Sequence, residues 1–68
     1  MKLTILYHDG HVEEIGVCRV FTREVLGKGQ YLYFETASDL QGKGTSIPMS
    51  DLKCWEVNAV IQGGNLKL

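Results

Sequence analysis

Adjacent carboxylates and a cysteine near two histidines are the residue patterns in this chain that could carry out catalysis. Glu13 and Glu14 are neighbours, so on a strand they point to opposite faces and cannot act together as acid and base. Cys18 is close in sequence to His8 and His11. A nucleophilic site also needs a third group that orients the base and an oxyanion hole, all converging on the nucleophile. The sequence indicates neither. We therefore predict that the chain is not an enzyme and has no catalytic residues.

Metal and phosphate sites are equally poorly supported. His8 and His11 flank a turn and could contact one ion, but a stable metal site needs more ligands. The segments Gly27-Lys28-Gly29 and Gly42-Lys43-Gly44 superficially resemble phosphate-binding loops. Neither has the required spacing or opens a helix, so both indicate turns. We predict no metal, no cofactor and no small-molecule substrate.

The aromatic residues are a better indication of function. Tyr31 and Tyr33 alternate with Leu32 and Phe34, so both tyrosines should lie on the sheet face opposite the core. Exposed tyrosines can stack on bases or anchor a protein partner; alternatively, they pack under a loop or against another subunit. The predicted interaction face consists of Tyr31, Tyr33, Val20 and Thr22.

Size and charge limit the functional classes. Sixty-eight residues make one domain, and a chain of this length buries only roughly 60% of its unfolded surface. We predict a β domain over residues 1–62, a flexible tail over 63–68, and self-association, most simply as a dimer, through the tyrosine face or the last strand and tail.

Seven basic against eight acidic residues give a net charge of −1, which argues against strong nucleic-acid capture.

The start of the chain has no signal-peptide pattern, and no apolar run is long enough to span a membrane. Without an export signal, Cys18 and Cys54 should be reduced thiols. These features predict a cytoplasmic protein with no membrane association.

Asp9-Gly10 lies between two strand-like segments, Leu3–His8 and His11–Ile15. Because Asp-Gly tolerates positive φ at both central positions, a type I′ hairpin is predicted. Val12 and Ile15 have opposite strand parity, so both can face one core only if an extra residue, at a bend or bulge near Gly16, intervenes.

The segment Val17–Leu26 also fits a helix, but its β-branched residues and missing N-cap favour a strand. A two-residue II′ turn at Gly27-Lys28 would place Phe21 opposite Phe34, on the core side. This register also puts Arg23 on the core side, where its stem must reach the rim.

A three-residue Gly27–Gly29 loop would instead pair Arg23 with Tyr33, and the sequence does not decide between the two registers. Further along, 38–44 indicates a loop, Pro48 ends an extended segment, and 50–52 indicates one helical turn before the last strand. The predicted fold is all-β: a small antiparallel barrel or strongly bent sheet, SH3-like, with five to six short strands.

Leu3–Ile15 and Ile47–Val57 resemble the two ends of small uncharacterised β proteins from prophages and mobile elements of Gram-positive bacteria. Those proteins begin with a strand, an Asp-Gly turn and an acidic strand. They end with an Ile-Pro-x-Ser-Asp-Leu-Lys-like segment before the last strand. The resemblance implies a genetic context and assigns no functional residue.

Two functional hypotheses follow. The first is a non-enzymatic protein-interaction or structural module of a phage or mobile element, acting through self-association or a protein partner. The alternative is a weak single-stranded nucleic-acid-binding β-barrel that uses Tyr31 and Tyr33 with scattered basic residues.

Overall fold

The computed structural model describes residues 1–58, so the end of the predicted domain, 59–62, and the predicted tail, 63–68, lie outside the described residues. This part of the chain is all-β, as predicted. Its six strands are β1 (Lys2–Tyr7), β2 (Val12–Gly16), β3 (Arg19–Val25), β4 (Gly29–Glu35), β5 (Thr45–Pro48) and β6 (Leu52–Asn58). The helical alternative for Val17–Leu26 is wrong, since this segment contains β3. One 3-10 turn, Met49–Asp51, precedes the last strand, as the sequence predicted.

The strands form two three-stranded antiparallel sheets. The first sheet has the order β2-β1-β6 and the second has the order β3-β4-β5. In residues 1–58 these pairings do not close into one barrel. One apolar core joins the sheets and consists of Leu3, Ile5, Val17, Leu32, Phe34 and Leu52.

The chain passes from one sheet to the other at Val17 and Cys18. The N–H of Val17 donates to the carbonyl of Met1 at 3.0 Å, and the N–H of Cys18 donates to the carbonyl of Glu35 at 2.8 Å. The predicted bend near Gly16 is therefore at the end of β2. The corner therefore pairs one backbone N–H with each sheet at the point where the buried Val17 crosses between them.

The parity argument for an extra residue in β2 is wrong. β2 pairs with β1 without irregularity from Lys2↔Gly16 to Leu6↔Val12. Ile15 packs against the core, whereas Val12 faces outward and is 56% exposed. The conflict disappears because only Ile15, which is partly buried, packs against the core.

The first hairpin is confirmed, but its turn is not type I′. Positive φ occurs at Gly10 (96°) and at no non-glycine residue of the described chain, so Asp9 lacks the conformation that type I′ requires. The N–H of Gly10 donates to the carbonyl of Tyr7 at 3.0 Å, and Asp9 Oδ1 accepts the N–H of His11 at 3.0 Å. This is a three-residue loop with glycine last, held by a local side-chain bond.

The second hairpin also has a three-residue loop, Leu26 to Lys28. The N–H of Lys28 donates to the carbonyl of Val25 at 2.8 Å, and Gly27 has φ of 80°, which corresponds to a type II turn. The predicted two-residue II′ turn is therefore wrong.

Both predicted registers of this hairpin are wrong as well. Phe21 lies opposite Tyr33, and Arg23 lies opposite Tyr31. Because side chains alternate with period two, the one-residue shift from the two-residue-turn register exchanges the two faces of β3. The register with Arg23 opposite Tyr33 is shifted by two residues and leaves the faces unchanged. Phe21 and Arg23 consequently lie on the outer face of the second sheet, and Arg23 does not need to reach out from the core.

No helix among residues 1–58 has the length and apolar character needed to cross a membrane. Cys18 and Cys54 are both free thiols and both are exposed.

Candidate interaction face

The outer face of the second sheet carries a mixture of aromatic and cationic side chains. Along β3, every second residue points to this face, and the neighbouring strand β4 supplies tyrosines opposite them. We call this surface the aromatic–arginine face and define it by Arg19, Phe21, Arg23 and Tyr31.

Phe21 is the exposed centre of the aromatic–arginine face. It is 40% exposed, and its ring centroid lies 5.0 Å from that of Tyr33 in a tilted arrangement. The Arg19 guanidinium carbon lies 5.4 Å from the centroid of the Phe21 ring, close enough for a cation–π contact. Tyr31, opposite Arg23, is half-buried.

Tyr33 is buried, with 6% of its surface exposed. Its hydroxyl donates to Glu35 Oε2 and accepts the N–H of Gly44 at 3.0 Å. The hydrogen bond to Glu35 raises the pKa of Tyr33, since it favours the neutral phenol. Tyr33 thus attaches the loop of residues 36–44 to the sheet. Of the two roles considered for the tyrosines, exposed contact or packing under a loop, Tyr33 has the second.

Glu35 completes this attachment. Its side chain is 4% exposed, and Oε2 accepts the N–H of Gly42 at 2.8 Å in addition to the Tyr33 hydroxyl. Arg19 Nη1 lies 3.7 Å away. The bond from Tyr33, the N–H of Gly42 and the charge of Arg19 together hold the pKa of Glu35 below its usual range.

The four predicted interaction residues do not form one surface. Val20 lies opposite Phe34 and Thr22 opposite Leu32, so both belong to the core side of β3, and Val20 packs against the core. They were misplaced because the two-residue-turn register is shifted by one residue from the observed pairing. Tyr31 and Tyr33 do lie opposite the core side of β4, as predicted, but Tyr33 is covered.

The sequence interpretation missed Arg19, Phe21 and Arg23. Their spacing could have shown that they lie together, since residues two and four apart in a strand share one face. A register that buries Phe21 also turns both arginines toward an apolar core, which is strongly unfavourable. The register that exposes all three could have been preferred on that ground.

The charged residues are divided unequally between the sheets. The first sheet with its β1–β2 turn carries two lysines, Lys2 and Lys53, against four carboxylates, Asp9, Glu13, Glu14 and Glu56. The second sheet with its loops and the 3-10 turn packed against β4 carries four basic residues, Arg19, Arg23, Lys28 and Lys43, against four carboxylates, Glu24, Glu35, Asp39 and Asp51. In the described residues the first sheet is therefore net acidic and the second is neutral, with its arginines gathered on the aromatic–arginine face.

Residues considered for catalysis or metal binding are not brought together. Glu13 shares the face of Ile5, and Glu14 shares the face of Thr4, so the two carboxylates point apart. His11 Nδ1 lies 2.7 Å from Asp9 Oδ1. Within residues 1–58 there is no group of three or more His, Cys, Asp or Glu side chains that could hold a metal ion, and no cavity is found there.

Comparisons with known proteins give no further indication: no family model, curated protein or solved structure matches the chain.

Proposed function

We propose that this chain is a non-enzymatic protein-interaction module and that the aromatic–arginine face is its contact surface. The observation that carries the proposal is Phe21, an aromatic ring 40% exposed on a strand and placed between two arginines on the same face. Aromatic residues and arginine are enriched where protein interfaces are most buried. Covering this ring removes apolar surface from water and brings the guanidinium groups to a partner.

The proposal includes an SH3-like barrel as the finer description of the fold. In support, β1 pairs with the last strand, the chain crosses between two three-stranded sheets at Val17 and Cys18, and a 3-10 turn precedes β6. This arrangement is typical of small barrels made from two sheets packed around one core. The fold supplies a rigid platform, and the surface residues determine what binds to it.

The context remains that of the sequence resemblance, a prophage or mobile element, with the protein acting in the cytoplasm. Two exposed free thiols are consistent with a reducing compartment. A protein partner, including another copy of the chain, fits a marginally stable small domain, because binding stabilises the folded state by mass action.

The test compares Phe21→Ala with Leu26→Ala in affinity capture from the native host after nuclease treatment. Leu26 is a suitable control, because it is 99% exposed but lies in the β3–β4 loop, outside the face. We expect Phe21→Ala to weaken capture of a specific protein by tenfold or more, roughly the effect of an interface hot spot. Equal capture by wild type and both variants would contradict the proposal.

Single-stranded nucleic-acid binding is the second candidate, favoured by the exposed ring between Arg19 and Arg23. Stacking on aromatic rings beside cationic groups is the general means of binding single strands. Fluorescence anisotropy with a thymidine decamer tests it at about 50 and about 200 mM salt, because phosphate contacts weaken steeply over that range. Affinity that falls with salt and is lost in Phe21→Ala would favour this candidate over a protein partner.

A further inference from the structure

We infer that the aromatic–arginine face binds the outer face of the first sheet of a second copy of this chain. The inference rests on the proposed function and names the partner of the same surface. Its basis is complementarity: each copy displays an apolar and cationic face on one sheet and an apolar and acidic face on the other.

The acidic–apolar face consists of two cross-strand rows on the outside of the first sheet. The apolar row is Val12, Leu6 and Cys54, aligned across β2, β1 and β6. The acidic row beside it is Glu14, Thr4 and Glu56. Val12 is 56% exposed, and Cys54 is also exposed, so the apolar row is open to a partner.

The dimensions of the two faces are compatible. Glu14 and Glu56 lie two strand spacings apart, about 10 Å. Arg19 and Arg23 lie four residues apart on one strand, about 13 Å, and their long side chains can adjust the difference. Because Phe21 lies midway between the two arginines, docking would place its ring over Thr4 and beside the apolar row, with Arg23 against one carboxylate and Arg19 near the other.

Most charges on the two faces can take new partners; the exception is Arg19, whose Nη1 lies 3.7 Å from the buried carboxylate of Glu35. Glu14 has an ion pair with Lys2 at 3.4 Å, but both side chains are about half exposed, and such pairs contribute little. Arg23 has no ion pair within residues 1–58. An interface of this kind therefore exchanges weak solvent-exposed contacts for desolvated ones.

The predicted assembly is head-to-tail rather than a symmetric dimer. The two contacting faces differ, so a bound pair still presents one free face of each kind, one on each copy. Such heterologous contacts continue until they close into a ring or form a filament. This distinguishes the inference from a two-fold dimer formed by the last strand or by the chain beyond residue 58.

The test uses two variants that each disable one face. Phe21→Ala with Arg23→Glu disables the aromatic–arginine face, and Glu14→Lys with Glu56→Lys disables the acidic–apolar face. Light scattering at ~100 μM and low salt should show association of the wild type and monomers of each variant alone. An equimolar mixture should form dimers, because one intact face of each kind remains.

Asp51→Lys with Glu24→Lys is the matched control, since it makes the same charge change at two exposed carboxylates outside the face. Because both faces stay intact in this variant, it should self-associate to the same extent as the wild type. Circular dichroism confirms that each variant is folded before its mass is interpreted.

Three outcomes would overturn the inference. A monomeric wild type excludes self-association, and the host-capture comparison of Phe21→Ala then decides the proposed function separately. A mixture that stays monomeric while the wild type associates assigns assembly to another surface. A thymidine decamer that binds the wild type and not the Phe21→Ala, Arg23→Glu variant, with no self-association, assigns the face to nucleic acid.

Discussion

Glu14 on the first sheet and Glu35 on the second are used in opposite ways. Glu14 faces solvent, and its ion pair within residues 1–58 is with the end of a flexible lysine, Lys2, both side chains being about half exposed. Glu35 is almost completely covered, and its carboxylate joins the Tyr33 hydroxyl to the backbone N–H of Gly42. One carboxylate is available to a partner, and the other is committed to holding a loop.

The difference shows how one small chain separates stability from interaction. Charge-assisted hydrogen bonds shielded from water are strong and order the backbone around them. Exposed ion pairs are screened and easily exchanged. We therefore expect substitutions around Glu35 to change stability, and substitutions at Glu14 to change association.

The largest effect is expected at Gly44, where the loop meets the second sheet. A Cβ at this position would lie 2.0 Å from the carbonyl oxygen of Phe34 and 2.8 Å from Glu35 Cγ, so the loop backbone must move. Gly44→Ala should lower the free energy of unfolding by more than about 2 kcal/mol, measured by urea denaturation.

Gly16→Ala is the control, because nothing lies within 4 Å of a Cβ there. It should change the free energy of unfolding by less than about 1 kcal/mol. Equal effects of the two substitutions would mean that the loop is not closely attached to the second sheet.

The next largest effect is expected for Glu35→Gln, with Glu14→Gln as the matched exposed control. Glu35→Gln replaces a buried acceptor of two hydrogen bonds by a neutral amide and should lower the Tm by on the order of 5–10 °C. Glu14→Gln should leave the Tm within about 2 °C, because its carboxylate is solvated. Thermal circular dichroism measures both, and a Tm for Glu35→Gln equal to that of the wild type would refute the assigned role of the carboxylate.

Lowering the pH should remove the stabilisation by the ionised Glu35 carboxylate without a mutation. The pKa of Glu35 in the folded chain lies below its ordinary value of 4.5, so the unfolded chain binds the proton more tightly. Its contribution is complete above the unfolded pKa and is lost as pH falls through the folded pKa. The difference in unfolding free energy between wild type and Glu35→Gln should shrink progressively below about pH 4.5; a difference that grows would contradict the assigned sign.

The smallest effect is expected for Lys2→Ala. The 3.4 Å pair of Lys2 with Glu14 is exposed, and its loss should cost less than about 0.5 kcal/mol. A larger loss in urea denaturation would mean that the exposed and buried carboxylates differ less than the structure indicates.

Local patterns were enough to predict the strands but not the number of residues in each turn. Asp9-Gly10 and the glycines after Leu26 correctly marked two hairpins, and Pro48 correctly marked the end of a strand. Both loops contain three residues: the side chain of Asp9 bonds to the N–H of His11 in the first, and Leu26 leaves the strand in the second. For the second hairpin the sequence left a two-residue and a three-residue loop open, and the two-residue choice exchanged the faces of β3 and hid the aromatic–arginine face.

The role of Glu35 could not be predicted from spacing. Its partners are a tyrosine two residues earlier and the backbone of a loop seven residues later, and a backbone N–H leaves no mark in the sequence. The pattern of β4 placed Tyr33 correctly on the outer side of the strand. Only the folded path of residues 36–44 shows that this side is covered there.

The corner at Val17 and Cys18 has a consequence for how the protein opens. These neighbouring amides are bonded to different sheets, Val17 to Met1 and Cys18 to Glu35. If the sheets separated independently, hydrogen exchange at the two amides would report different opening energies. Because Val17 is buried in the shared core, we expect both amides to exchange together, so that one pair of adjacent residues reports whether the domain unfolds as a single cooperative unit.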